Sequence, residues 1–436
     1  MDISFTHTDG RWRTPGSWTH RTYPDPGMFE DIARIAERGC LDMLFCGDGT
    51  GIPSTWQGSE EVAARWGIQW PRQDMSPYIT LMSRATEHLG FALTYASTFM
   101  PPFYVARLLN SLDHLTNGRI AFNVITSTRL ADAANYGFDE LMDHDLRYDR
   151  MEEFIDVCKA LWTSVEPDAF IWDRDSGVVA DPAKIHPINH VGQFFRVRGP
   201  LSTVPSPQGY PVLIQAGGSP RGIEASAHFA EVIFAAGPRS SRIKHREALD
   251  KALIAKGRDP STVGILASTT FIVGETEQAA KAQKERLLDM IPPEAVGAFL
   301  SHNGGYDFSK LPDRFAPAEL NREIIAANAS PVGFVSMLAA QLGENAEISR
   351  DEFFHHGLRF ATGYDRAVAG NAAQVADFME EEFEATGSRG GFMMTYQYTS
   401  PRDIMNVVDF LVPELQRRGR FRKRYEGRTL RENLCC

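Results

Sequence analysis

Six polar residues stand where a side chain leaves an apolar run or opens a helical one, and can meet a ligand: His7, Asp48, Thr94, His144, Tyr148 and Ser219. Ser219 has the clearest chemistry. It lies in QAGGSPRG (215–222), where an apolar run turns on two glycines and a helical pattern begins with Ser219 at the N-cap. The N–H groups of a helix start, together with a hydroxyl, bind an anion without any lysine. The same residues also spell a plain capped turn. Asp48 ends an apolar run, where a carboxylate is costly to bury without donors. It accepts hydrogen bonds either from a ligand or from the backbone of its own turn, GDGTG (47–51). Pro53 follows that turn in place of a helical pattern, so the glycines read as a turn and not as a phosphate loop.

Other chemistries lack their signatures. The sequence contains no HExxH, no GxSxG and no phosphate-binding lysine motif. His186 and His190 stand four apart near Asp181, but two prolines interrupt the stretch and it is not helical, so the reading is no metal site. His355-His356, on a helical segment, reads as one packed and one solvent-facing imidazole.

The elements that must position these residues alternate along the chain. Eight short apolar runs read as strands: 3–8, 43–48, 90–97, 119–127, 211–217, 231–237, 263–274 and 391–397. Several are apolar almost throughout, as expected for parallel strands buried on both faces. Between them lie helical patterns such as 28–39, with Phe29, Ile32, Ile35 and Ala36 on one stripe and Gly39 as a stop, then 78–90, 104–118 and 147–162. Strand and helix repeated eight times predict an α/β fold, a (β/α)8 TIM barrel, as one domain over residues 1–436. Three segments exceed barrel loops, at about 49–77, 165–210 and 293–350, and read as insertions that roof a pocket. In such a barrel, polar residues at the C-terminal strand ends are site residues. His7, Asp48, Thr94, Asn123 and Ser219 meet that filter.

Composition narrows the partners. A net charge of −11 argues against nucleic acid, which needs a basic surface. The one basic stretch, within a C-terminal extension at 411–436, is expected to cap a last helix and cover the barrel. No signal-peptide pattern and no run of eighteen apolar residues is present. The five cysteines fit neither a zinc site nor a disulfide framework, so the expected compartment is the reducing cytoplasm, with Cys435-Cys436 as a disordered end.

Four segments carry a family resemblance: GRIAFNVITS (118–127), HDLRYDRMEEF (144–154), FFRVRGPLSTVPSPQGYPVLIQAGGSPRG (194–222) and LVPELQRRGRFRKRYEGRTLRENL (411–434). They resemble the bacterial-luciferase-like flavin monooxygenases, in the group acting on nitrilotriacetate, dibenzothiophene sulfone and long-chain alkanes. The resemblance implies the oxygenase of a two-component system, using reduced FMN and O2 through a flavin peroxide. A separate NAD(P)H-dependent flavin reductase would supply the FMNH2, and a homodimer or homotetramer is the family expectation. It implies that Asp48 and Thr94 meet the isoalloxazine, that His144 and Tyr148 flank the ribityl-phosphate, and that Ser219 binds the phosphate. His7, at the end of strand one and facing the flavin to hydrogen-bond a peroxide or substrate, and His302, in SHNGGYDFS (301–309) of the long insertion expected to close over the site, are the candidate catalytic residues. Trp56, Trp66, Trp70 and Phe99 are candidates for an apolar substrate wall. The substrate expectation is a small organic compound, aromatic or heterocyclic, containing sulfur or nitrogen. Two alternatives stay open: a deazaflavin-dependent dehydrogenase of the same superfamily, and a non-catalytic flavin-binding protein. Arg389-Gly390-Gly391-Phe392 departs from the family, which has an acidic residue before Gly-Phe, and puts contacts at the eighth strand in doubt.

Overall fold

A computed structural model describes residues 1–4, 7–14, 17, 23–326, 333–387, 389–395 and 401–434. Apolar strand sequences produce a parallel sheet because each strand is covered on both faces. Strands β1 (Met43–Cys46), β2 (Gly90–Ala96), β3 (Ile120–Ile125), β4 (Val212–Ala216), β5 (Val232–Ala235) and β6 (Gly264–Val273) pair in chain order, all in parallel. The long β6 then pairs twice. Its second half holds β7 (Ala367–Gly370), and its first half holds β8 (Gly390–Met394).

The N-terminus closes the ring. Asp2 bridges Phe45 in parallel, the Phe45 amide donates to the Met1 carbonyl at 2.8 Å, and the Asp2 amide donates to the Met394 carbonyl at 2.9 Å. Residues 1–3 therefore stand between β8 and β1 and complete a (β/α)8 barrel. The first strand is earlier and shorter than the 3–8 expected. Asp2 ends it, because its carboxylate accepts the Ser4 amide at 2.9 Å and turns the chain. Residues 5–6 of that predicted strand, 396–397 of the last one and the Cys435-Cys436 tail lie outside the described residues.

Alternation divides the side chains. Phe45, Ala92, Ala121, Ile214, Val232 and Met393 fill the barrel interior. Leu44, Leu93, Phe122, Leu213, Ile233 and Phe271 face the helical layer, where Ile32 and Phe154 meet them. Each such aliphatic or Phe side chain contributes about 1.5–3 kcal/mol on full burial. The helix Pro26–Arg38 shows how local sequence secures the layer. Asp25 caps its start by accepting the Gly27 amide, Pro26 opens its first turn, and Phe29, Ile32, Ile35 and Ala36 are buried.

The C-terminal extension covers the barrel at its N-terminal end. Leu430 is fully buried in the barrel-interior cluster, its amide bonded to the Gly118 carbonyl at 2.9 Å. The Tyr425 hydroxyl donates to the Leu41 carbonyl, and Arg422 pairs with Asp42. The basic residues thus fasten the floor and leave the C-terminal mouth to ligands.

At that mouth the 3-10 turn and helix at 56–66 pack with the helices Pro293–Gly304, Pro317–Ala326, Gly333–Leu342 and Arg350–Ala361 around a second core, centred on Phe308, Phe334 and Phe353. The Trp56 ring packs edge-on against Phe354. Trp66 packs against the same core, so both indoles help anchor the insertion. Between 165 and 210 the chain forms small antiparallel pairings, including the ribbon His190–Val191 with Arg196–Val197. His186 and His190 bind different carboxylates, Glu166 and Glu153.

Candidate active site

The GDGTG turn is shaped from outside. Asp132, in the helix Leu130–Asn135 that follows β3, accepts the amides of Thr50 at 2.9 Å and Gly51 at 2.7 Å, and receives the Ser127 hydroxyl. Asp48 accepts the Gly49 amide at 2.8 Å. Burial pushes its carboxyl above the usual range, with Asp74 and Asp132 adding to the effect. The turn reading and the ligand reading of Asp48 are compatible: one oxygen steadies the turn while the residue lines a cleft.

That cleft is walled by Asp48, Gly49, Thr94, Phe99, Met100 and Tyr136. Phe99 and Tyr136 stack at 5.2 Å between centroids. Thr94 and Asn123 are register partners on β2 and β3, and the Asn123 amide donates to the Thr94 hydroxyl at 3.0 Å. Accepting there, the Thr94 oxygen keeps its own proton to donate. The Asn123 Oδ1 is buried with no partner, an acceptor that costs stability unless a ligand satisfies it.

A second constellation forms at the start of the helix Pro220–Phe229. Ser219 is its N-cap, and its hydroxyl accepts the Gly222 amide at 3.0 Å. A Cβ at 222 would stand 2.9 Å from the Tyr148 hydroxyl and 3.1 Å from the Ser219 Oγ, so glycine there lets both oxygens approach closely. The chain thus brings Tyr148 and Ser219 to one point. His144, at the first position of the helix His144–Trp162 and half-exposed, packs edge-on to Tyr148 at 5.2 Å. Arg221 ties the two helices together through Asp149 and Glu152, and its guanidinium covers the Tyr148 ring.

The two candidate catalytic histidines are buried. The His7 Nε2 faces the Pro71 carbonyl at 2.5 Å, which can only accept, so Nε2 carries the proton and Nδ1 is left as a buried acceptor without a partner. The ring stacks on Tyr23 at 3.7 Å. Burial, then the charges of Arg72 and Arg11, push it down to about 4. His302, in the helix Pro293–Gly304, is pushed down to about 2 by burial and by Arg129 and Arg72. Both rings are neutral at pH 7, and Arg72 exerts its field on each.

Sequence reasoning missed Arg72, Arg129, Asp132 and Arg221. Arg129 and Asp132 follow the C-terminal end of β3, and the strand-end filter extended by a few residues reaches them. Arg72 lies inside a long loop with no local signal. At the eighth strand, Arg389 pairs with Asp250, and a Cβ at Gly390 would strike the Ile265 backbone, which is why glycine follows an arginine there. Among the described residues no cluster of His, Cys, Asp and Glu is suited to a metal ion.

Comparison with known proteins agrees with this architecture. The family model described as luciferase-like monooxygenase matches residues 4–390. The chain is 37% identical to nitrilotriacetate monooxygenase component A of Aminobacter aminovorans, covering 100% of this chain and 94% of that protein. It is 34% identical to dibenzothiophene-sulfone monooxygenase of Rhodococcus erythropolis, covering 98% and 93%. The crystal structure of a riboflavin lyase with modified FMN and riboflavin superposes with a TM-score of 0.88 at 28% identity, covering 100% of this chain and 94% of that one. A closed parallel barrel, a polar cleft at its C-terminal mouth and matches along nearly the whole chain have one common meaning: the protein belongs to the luciferase-like monooxygenase family, as a flavin-dependent monooxygenase.

Proposed function

We propose that the chain is the oxygenase component of a two-component system, taking reduced FMN from a separate NAD(P)H-dependent flavin reductase and using O2 to oxygenate a small sulfur- or nitrogen-containing organic compound. The observation that carries this reading is the pair formed by the Thr94 hydroxyl and the unpartnered Asn123 Oδ1 beside the cleft. A donor next to an acceptor fits the alternating edge of the isoalloxazine pyrimidine ring. When bound, reduced flavin supplies the electrons that activate O2, and the protein supplies orientation and a dry environment.

In this reading Asp48 and Thr94 hold the isoalloxazine. Ser219, Tyr148 and His144 hold the ribityl-phosphate at the start of the helix Pro220–Phe229. His7 and His302 face the substrate side as neutral imidazoles able to accept a hydrogen bond without giving up a proton. A partner reductase is supported by the name of the nitrilotriacetate relative, a monooxygenase component A. The exposed Ile171, Trp172, Val178 and Val179 give a homodimer or homotetramer an apolar surface to bury. No helix among the described residues is long and apolar enough to cross a membrane. The buried free thiols Cys40, Cys46 and Cys158 suit a cytoplasmic setting.

The test is anaerobic titration of the purified chain with photoreduced FMN, followed by mixing with oxygen. Tight binding of reduced FMN and slowed reoxidation of the bound flavin are expected. Absence of binding, or reoxidation at the rate of free flavin, would overturn the proposal.

A further inference from the structure

Strands β1, β2 and β3 lie side by side, and the segments that leave their C-terminal ends build the wall of the cleft. The GDGTG turn follows β1, Phe99 and Met100 follow β2, and the helix Leu130–Asn135 with Tyr136 follows β3. The second and third exits are tied directly. The Thr98 hydroxyl donates to the Thr126 carbonyl at 2.6 Å, and the Phe99 ring stacks on Tyr136.

The first exit reaches the third through Asp132, in the first turn of its helix and 5% exposed. Burying a carboxylate is costly unless donors surround it. Asp132 has three: Oδ1 accepts the amides of Thr50 and Gly51, and Oδ2 accepts the Ser127 hydroxyl at 3.2 Å. Bonds to an ionised acceptor are about twice as strong as neutral ones. Ser127 has a left-handed backbone, with φ 42°, which is disfavoured for a residue with a side chain. Its bond to Asp132 therefore also holds the chain where it leaves β3. Two further contacts complete the joint. The Asn135 side-chain amide donates to the Thr50 carbonyl at 2.9 Å. A Cβ at Gly51 would stand 2.6 Å from the Ala131 carbonyl carbon, and one at Gly49 would fall against the guanidinium groups of Arg129 and Arg72. Glycine at both positions lets the turn lie directly on the segment after β3.

Asp48 belongs to this turn, and the bonds that fix the turn converge on one carboxylate 82 residues beyond Thr50. We propose that Asp132 is a positioning residue of the active site: it fastens the turn carrying Asp48 to the segment carrying Tyr136, and so sets the spacing between Asp48 and the Phe99–Tyr136 wall. The inference rests on the oxygenase reading above, in which Asp48 holds the isoalloxazine, and adds what keeps Asp48 in place.

The test pairs two measurements on the full chain: hydrogen exchange at the Thr50 and Gly51 amides, and affinity for photoreduced FMN in anaerobic titration. Both amides should exchange slowly in the unaltered chain. Asp132→Ala should speed their exchange and weaken reduced-FMN binding about tenfold. Asp132→Asn keeps an oxygen for both amides and can donate to the Ser127 hydroxyl. It should keep slow exchange and bind reduced FMN within about threefold of the unaltered chain, a rescue that position explains and charge does not. Gly51→Ala leaves Asp132 in place but drives a methyl group into Ala131. It should lose protection and affinity together, and serves where Asp132→Ala does not fold. Fast exchange with unaltered affinity in either alanine variant would overturn the proposal, as would slow exchange retained in Asp132→Ala. An asparagine variant that loses as much affinity as alanine while keeping slow exchange would overturn it too, by assigning Asp132 a role through its charge. A chain that binds no reduced FMN, but in which Asp132→Ala frees both amides, would uphold the joint and refute the oxygenase reading instead.

Discussion

Ser219 caps a helix and, in the proposed reading, also holds the FMN phosphate, two roles that a substitution series can separate. Its hydroxyl caps the helix Pro220–Phe229 by accepting the Gly222 amide, and we assign it a hydrogen bond to the FMN phosphate. Ser219→Ala removes both. Loss of the cap costs about 1 kcal/mol of stability, which in a chain of this size lowers Tm by about 1–2 °C. Loss of a charge-assisted hydrogen bond weakens reduced-FMN binding by about 1–2 kcal/mol, roughly five- to thirtyfold in Kd. Ser219→Gly keeps most of the stability, because glycine at an N-cap costs only a few tenths of a kcal/mol, yet it should lose the same affinity. Ser219→Asp caps as well as serine but sets a carboxylate against a phosphate. Unit charges 4 Å apart repel by about 4 kcal/mol at an effective dielectric of about 20, and half that figure is already a loss of about thirtyfold. The assay is anaerobic titration with photoreduced FMN for each variant, paired with a thermal melt. Aspartate binding as tightly as serine would refute the reasoning, since no phosphate could then lie at this helix start. Alanine and glycine losing affinity only in proportion to their stability would reduce Ser219 to a cap.

Three further outcomes follow from the geometry. His7→Phe should leave reduced-FMN affinity intact and lower product formed per flavin oxidised, while wild-type coupling would return His7 to a packing role. His7 and His302 are held neutral, pushed down to about 4 and about 2. The unfolded chain therefore takes up their protons first, and stability that is complete above about pH 6.5 is lost as pH falls toward 4. Urea unfolding across that range should show a slope that His302→Gln lessens by up to one proton, and an unchanged slope would mean the ring already titrates in the folded state. Leu430→Ala, at the barrel floor, should cost about 2–5 kcal/mol in urea unfolding without altering flavin affinity. A change in affinity with no change in stability would mean that the floor and the mouth are coupled.

Much of the architecture was legible because its signals are local. The stripe of Phe29, Ile32, Ile35 and Ala36 marks a helix that buries one face, and the structure buries all four. Ser219 announces a helix start because capping depends on residues three apart. The long apolar run at 263–274 reads as one strand, and β6 is long enough to pair with both β7 and β8. The first strand was read too long, because hydrophobic pattern alone does not register that Asp2 turns the chain at Ser4. Trp56 and Trp66 illustrate the limit for the site: aromatic residues in a long loop can wall a pocket or anchor the loop, and the second core against which they pack is assembled mostly from residues more than 200 positions away.

By itself the sequence determined that eight apolar runs alternate with amphipathic helices, that Asp48, Thr94 and Ser219 stand at strand ends or helix starts, and that four segments match a family of flavin monooxygenases. All of these depend on periodicity or on neighbours within a few residues. Only the tertiary structure decided that residues 1–3 close the ring, that the basic C-terminal extension covers the floor and leaves the mouth open, and that Arg72 and Arg129 meet at Gly49. Those residues come from loops separated by whole barrel units, and nothing in their local sequence specifies the distance between them. The packing of the insertion on the barrel sets that distance, and with it the charge at the site.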